Sequence, residues 1–178
     1  MLTSRRLPVS YWSAPVAQDT GPYITGAWPY ILQALDWAAA HGLYVIFDLH
    51  GAPGSQNGFD NSGQRTGDPI WAFDQTHIDQ TLLVIETMAR QIGNKVSVFQ
   101  LLNELAGFRG QQWSDAARGF WQAGYDRVRG AAGNDVKVMI GDAFLGVNSW
   151  DGYMKTSQNV LMDLVRRLLP LWTITDEA

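Results

Sequence analysis

The 178-residue chain has the length of one domain and, at 46% apolar residues, the content to bury a core. A net charge of -4 and no Lys/Arg cluster give no footprint for nucleic acid or an anionic membrane surface, so a neutral small ligand fits better. The absence of cysteine excludes disulfides and thiolate metal sites, and His41, His50 and His77 are too scattered for a metal motif.

The segment RRLPVSYW opens the chain as a short strand ending near Ser10. Trp28, Ile31, Leu32, Leu35 and Ala39 then fall at helical spacing, with Gly42 as a stop. LYVIF runs apolar without alternation, as a strand covered on both faces does. It is followed by DLHGAPGSQNGFDNSG, residues 48 to 63, where a connector needs only about 2–6 residues. A second amphipathic helix carries Ile78, Leu82, Ile85, Met88, Ala89 and Ile92 and closes at Gly93, and VSVFQLL reads as the next strand. A third helix is expected to start at Ser114 as N-cap, to bury Ala117, Phe120, Trp121 and Val128, and to stop between Gly130 and Gly133. VKVMIGD and NVLMD supply two more strands.

Alternating strands and helices with apolar strands mean βαβ units and a parallel sheet, an α/β architecture. No G-x-G-x-x-G follows a strand, which disfavours a dinucleotide-binding oxidoreductase. Polar residues collect where successive strands end, as Asp48 with His50, Asn103 with Glu104, and Asp142; barrel enzymes gather their chemistry on that face.

Glu104 is the sharpest candidate. A carboxyl at the mouth of a buried strand, preceded by an amide that can bind a substrate hydroxyl, suits proton transfer to a leaving oxygen, against the plainer alternative of a helix cap or an arginine partner. His50 can donate to a sugar hydroxyl, Asp60 and Asn61 can accept and donate, and Phe59 can lie against a pyranose face.

In order and spacing, RLPVSYW, GLYVIFDLHGAPGSQNGFDNSG, LLNE, IGDAF with Trp150, and NVLMD resemble the fungal exo-β-1,3-glucanases of glycoside hydrolase family 5, over residues 5 to about 163. The resemblance implies a (β/α)8 barrel, of which this chain holds strands two to six, so residues 1–163 form a partial catalytic domain and 164–178 a tail unlike the family. It implies retaining hydrolysis of β-1,3-glucan or gluco-oligosaccharides, no cofactor or metal, and an extracellular or cell-wall setting. The chain itself shows no signal peptide and no apolar run of membrane-spanning length. Carried over by position, Arg6 orients the nucleophile, His50 and Asn103 contact the sugar, Glu104 is the acid/base, Phe59 is an aromatic entry residue, and Asp60 is a glucose contact beside Asn61.

Two departures stand out. Leu105 occupies the place where the family has proline after the glutamate, which loosens the turn behind Glu104. Retaining cleavage also needs a second carboxylate about 5–5.5 Å from the first. The three glutamates are Glu86, inside the second helix, Glu104, and Glu177, in the tail; none matches the family's Gly-Glu-Trp nucleophile segment. The chain therefore reads as a fragment of a glycosidase, itself expected to be inactive because the nucleophile segment is missing. The alternative is a non-catalytic sugar-binding or regulatory remnant.

Overall fold

The structure, a computed structural model, describes residues 4–18, 20–155 and 158–164. The described residues form five strands, the first four joined by three long helices: β1 (Ser4–Val9), α1 (Trp28–Ala40), β2 (Tyr44–Leu49), α2 (Gln75–Ile92), β3 (Val98–Gln100), α3 (Gln111–Ala132), β4 (Lys137–Gly141) and β5 (Val160–Asp163). All neighbours pair in parallel, in the order β1-β2-β3-β4-β5, and among the described residues the sheet does not close on itself. Helical crossovers between parallel neighbours are what the strand and helix periodicities call for.

The register divides the sheet into two faces. Phe47, Phe99, Val138 and Val160 pair in one row and belong to the core cluster with helix residues such as Leu82, Ile85, Met88, Phe120 and Trp121. Side chains alternate along a strand, so the next row, Asp48, Gln100, Met139 and Leu161, points to the other face. Arg6 and Asp163 share that concave inner face by the same two-residue step. The sequence thus places its polar strand residues in the interior of an arc and its aromatics beneath the helices.

Three local expectations are corrected. The third helix begins at Gln111 after Gly110, whose φ of 129° is open to glycine; Ser114 lies inside the first turn, where its hydroxyl donates to the Gln111 carbonyl at 2.8 Å. Buried Trp113 gives that earlier turn its anchor, and Gly130 stays helical, leaving Gly133 (φ 75°) as the stop. On α1, Ala39 is exposed while Ala38 packs against the core, a shift of one position within the stripe. The β2 strand is not covered equally on both faces, since inner-face Ile46 is only half-buried. The expected tail lies, from residue 165 onward, outside the described residues.

Candidate active site

The polar loop after β2 does more than connect. Ser55, Gln56 and Asn57 have no exposed surface, and each is paired within the loop or to the end of β3. The Gln56 side chain accepts from the Ala52 amide at 3.1 Å and donates to the carbonyls of His50 (2.9 Å) and Asn103 (3.0 Å). Its own carbonyl accepts from Ala106 at 3.1 Å. One buried amide therefore fastens the chain leaving β2 to the chain leaving β3. Buried polar groups are tolerated when satisfied in this way.

Asn57 performs the neighbouring task. Its Nδ2 donates to the Glu104 carbonyl and to Asn61 Oδ1, both at 3.1 Å, and Asn61 Nδ2 in turn donates to Glu104 Oε2 at 2.5 Å. Glu104 has a φ of 48°. A left-handed conformation costs a residue with a side chain roughly 1–2 kcal/mol and persists where the surroundings hold it. Here the Asn57 and Asn61 amides grip the backbone and the carboxyl of the same residue, turning a half-buried side chain toward the end of the sheet.

On the inner face, Arg6 is the hub. Its Nε donates to Asp48 Oδ2 at 2.9 Å, Nη2 to Asn103 Oδ1 at 2.8 Å, and Nη1 to Asp163 Oδ2 at 3.1 Å. Asp48 is fully buried, and its Oδ2 also accepts from His50 Nδ1 at 2.7 Å, which fixes the ring with Nε2 on the opposite side. Burial works against charge on Arg6, but the hydrogen bond and charge of Asp48, reinforced by Asp163, outweigh it and hold the guanidinium above its ordinary pKa. Gln100 Nε2 donates to Asp163 at 3.1 Å, while Asp48 Oδ1 and Gln100 Oε1 are buried acceptors without a hydrogen-bond partner among the described residues.

Hydrogen bonds thus join Arg6 to Asn103 and, through Asp48, to His50, while Asn57 and Asn61 hold Glu104, the neighbour of Asn103 in the chain; His50, Asn103 and Glu104 follow the carboxyl ends of β2 and β3, and Arg6 reaches toward them from the middle of β1. Phe59 is half-buried at the rim, its ring 6.4 Å from Phe108 and 6.2 Å from Phe144. Asp60 is exposed, in the single turn Asp60–Ser62. Asp142 is buried after β4; its Oδ1 accepts from the Phe144 amide, its carbonyl accepts from Trp150 Nε1, and its amide donates to the Asp163 carbonyl at 3.0 Å. Leu105 is buried behind Glu104. Glu86 lies far along α2, paired with Arg90 and Arg127.

Sequence reasoning passed over Gln56, Asn57, Gln100 and the role of Asp163. The available signal was the Gln-Asn pair inside a glycine-rich loop, since two amides without a helix or strand to serve must bond something else. Among the described residues no group of His, Asp and Glu side chains is arranged to hold a metal ion, and no helix is long and apolar enough to cross a membrane.

The chain matches known proteins in both sequence and fold. The chain is 41% identical to the glucan 1,3-beta-glucosidase of Blumeria graminis over 164 residues, covering 89% of this chain and 37% of that protein. It is 38% identical over 161 residues to the probable glucan 1,3-beta-glucosidase A of Emericella nidulans, covering 89% of this chain and 38% of the relative. It spans, then, well under half the length of these relatives. Among solved structures, rutinosidase from Aspergillus niger superposes with a TM-score of 0.79 at 21% identity, over 90% of this chain and 49% of that one. A broad-specificity endoglucanase from Clostridium acetobutylicum gives 0.65 at 16% identity, over 93% and 52%. These likenesses carry the fold: the open five-stranded sheet is part of a (β/α)8 barrel. The family model for cellulase, glycosyl hydrolase family 5, matches residues 5–164, and the chain belongs to that family.

Proposed function

We propose that the chain carries the acid/base part of a site that removes glucose from the end of β-1,3-glucan with retention of configuration. The observation that carries this reading is the grip on Glu104: left-handed backbone, carbonyl held by Asn57, carboxyl held by Asn61, beside Asn103 and the Arg6 hub. Similarity to proteins called glucan 1,3-beta-glucosidase supports the choice of substrate. An extracellular or wall-associated setting is proposed for this chain, as its family resemblance implies.

In this reading Glu104 protonates the glycosidic oxygen as it leaves and then takes a proton from the attacking water. Asn103, its Oδ1 engaged by Arg6, presents its amide to a hydroxyl of the terminal sugar, and His50, oriented by Asp48, binds another. Asp60, exposed at the rim, supplies an acceptor, and Phe59 stacks on the sugar beyond the cleavage point. Arg6 orients the opposing nucleophile.

That second carboxylate is the element the 178 residues do not supply in recognisable form. Glu86 is occupied on α2, and Asp48 and Asp163 are tied to Arg6. By itself this polypeptide binds gluco-oligosaccharide but forms no glycosyl-enzyme, because nothing stabilises the oxocarbenium-like charge from the other side. A sugar-binding role without turnover is the second reading, and the same carboxylate inventory favours it for the chain alone.

The test joins residues 1–163 to the C-terminal portion of a relative, with that relative's first strand restored. Glucose release from β-1,3-glucan oligosaccharides that Glu104→Gln removes supports the assignment. Equal activity of the Gln variant overturns it, and glucose release by the purified 178-residue chain overturns the account of the nucleophile.

A further inference from the structure

A concavity is lined in part by the loop that holds Glu104. It has a volume of about 560 Å³, within the range of small-ligand sites, and none of Arg6, His50, Asn103 or Glu104 lines it. Its walls come from the segment after β1, from both arms of the polar loop and from the start of α2. The residues that matter chemically are Tyr23, Gln64, Arg65, Thr76, His77 and Gln80.

The walls are built rather than incidental. One face of the Tyr23 ring stacks on Trp12, with centroids 3.9 Å apart and planes within 13°, and the Tyr23 hydroxyl donates to the Gly63 carbonyl at 2.9 Å. Gly63 (φ 86°) permits this approach, since a Cβ there would stand 2.5 Å from the Trp12 ring. Gly54 (φ 73°) does the same on the other arm, where a Cβ would meet His77 Nδ1 at 2.5 Å. Gln80 crosses from α2 to donate to the Gln18 carbonyl at 2.6 Å, closing the far side.

The lining selects a chemical class. No residue lining the concavity is acidic, Arg65 is the single permanently charged one, and the remaining polar groups are amide, hydroxyl and imidazole. Such a set offers donors and acceptors to a many-hydroxylated ligand and, with no carboxylate and one arginine, disfavours a cation. The aromatic, proline and isoleucine surfaces of Tyr11, Tyr23, Pro22 and Ile70 add apolar contact. A β-glucosyl ring matches both halves: its ring hydrogens are axial, leaving two apolar faces, and its hydroxyls radiate around the rim.

We infer that this concavity is an accessory binding site for β-glucan chains, separate from the Glu104 pocket. It rests on the β-glucan reading of that pocket. Loop residues 51–66 then have two working sides, with Asn57 and Asn61 serving Glu104 and Gly54, Gly63, Gln64 and Arg65 forming the accessory wall. A site of this kind keeps a polymeric substrate on the protein while its end exchanges at the reactive pocket.

The test is titration of the 178-residue chain with laminaritriose, followed by amide shifts in ¹H–¹⁵N spectra, with maltotriose as the α-linked control. Saturable shifts at Gly54, Gly63, Gln64 and Thr76 are expected, and Gln64→Trp, at an exposed position, should weaken them about tenfold while the rest of the spectrum stays folded. Thr76→Ala, also exposed, serves as a second, milder variant expected to weaken binding in the same direction. Shifts at His50 and Asn103 without any at the four accessory amides would overturn the accessory site and leave the proposed function standing. Shifts at the accessory amides alone would support this site and count against the Glu104 pocket. Equal response to maltotriose, or no change in Gln64→Trp, would overturn the inference.

Discussion

Replacing Arg6 by methionine and Asp48 by asparagine, singly and together, measures how much of the inner face depends on their pairing. Arg6 makes three hydrogen bonds of 2.8 to 3.1 Å, to Asn103, Asp48 and Asp163, and Asp48 has no exposed surface. Breaking a buried ion pair by removing one partner costs about 3–5 kcal/mol. The Arg6 side chain is 39% exposed, so water screens part of that loss and about 2–3 kcal/mol is expected for Arg6→Met. Asp48→Asn removes the charge but keeps an acceptor for His50, at a cost of about 1–2 kcal/mol. With both charges gone no buried carboxylate is stranded, so the double variant should be about 1–2 kcal/mol more stable than the sum of the single losses implies. Urea unfolding of the four chains, followed by tryptophan fluorescence and circular dichroism, closes the cycle. Additivity within about 0.5 kcal/mol would refute the claim that Arg6 is held by Asp48 rather than merely near it.

Gln56→Leu leaves the Ala52 amide and the carbonyls of His50 and Asn103 without their partner, so destabilisation of about 3 kcal/mol is expected in the same urea assay, with weakened gluco-oligosaccharide binding. Glu86 is held below the usual carboxylate range, chiefly by its hydrogen bond from Arg127 and further by Arg90. A depressed carboxyl stabilises the fold above its unfolded value of 4.5 and loses that contribution as pH falls through the folded value, so Glu86→Gln should lower stability at neutral pH and flatten the acid limb of the stability profile. Burial pushes the Tyr153 phenol up from 10.0 to about 12, and its hydroxyl donates to the Arg118 carbonyl at 2.6 Å. For an acid whose folded value is raised, stability is intact below pH 10 and falls as pH climbs toward 12; thermal melts across that interval should show a decline that Tyr153→Phe reduces.

The architecture was legible because it rests on short-range periodicity. Strand and helix periodicities announced the βαβ order, and three helical stripes marked the buried sides of α1, α2 and α3; that Arg6, Asp48 and Asp163 share one face depends on the register between strands, which no local pattern fixes. Helix starts were harder: Ser114 has the chemistry of a cap, yet buried Trp113 draws the helix one turn earlier, a tertiary preference invisible in local propensity. In the candidate site, Glu104 and His50 stood out from the sequence because such groups are rare where a buried strand ends. What could not be read was who holds whom. Gln56 and Asn57 act across 47 residues on Asn103 and Glu104, and amides in a glycine-rich loop look alike until the loop is folded against its neighbour. The left-handed backbone of Glu104 belongs to the same class, since it follows from those amides and not from the residues beside it.

The central claim is that Glu104 delivers the proton to the departing sugar oxygen. It is tested most directly by Glu104→Gln in the chain completed with a relative's C-terminal portion, comparing β-1,3-glucan oligosaccharide with 2,4-dinitrophenyl β-glucoside, whose leaving group needs no proton. Loss of proton transfer should lower glucan cleavage by about 10²–10⁴-fold while the burst of dinitrophenolate from the activated glucoside is largely retained. Equal loss on both substrates, or no loss on glucan, would contradict the role assigned to Glu104.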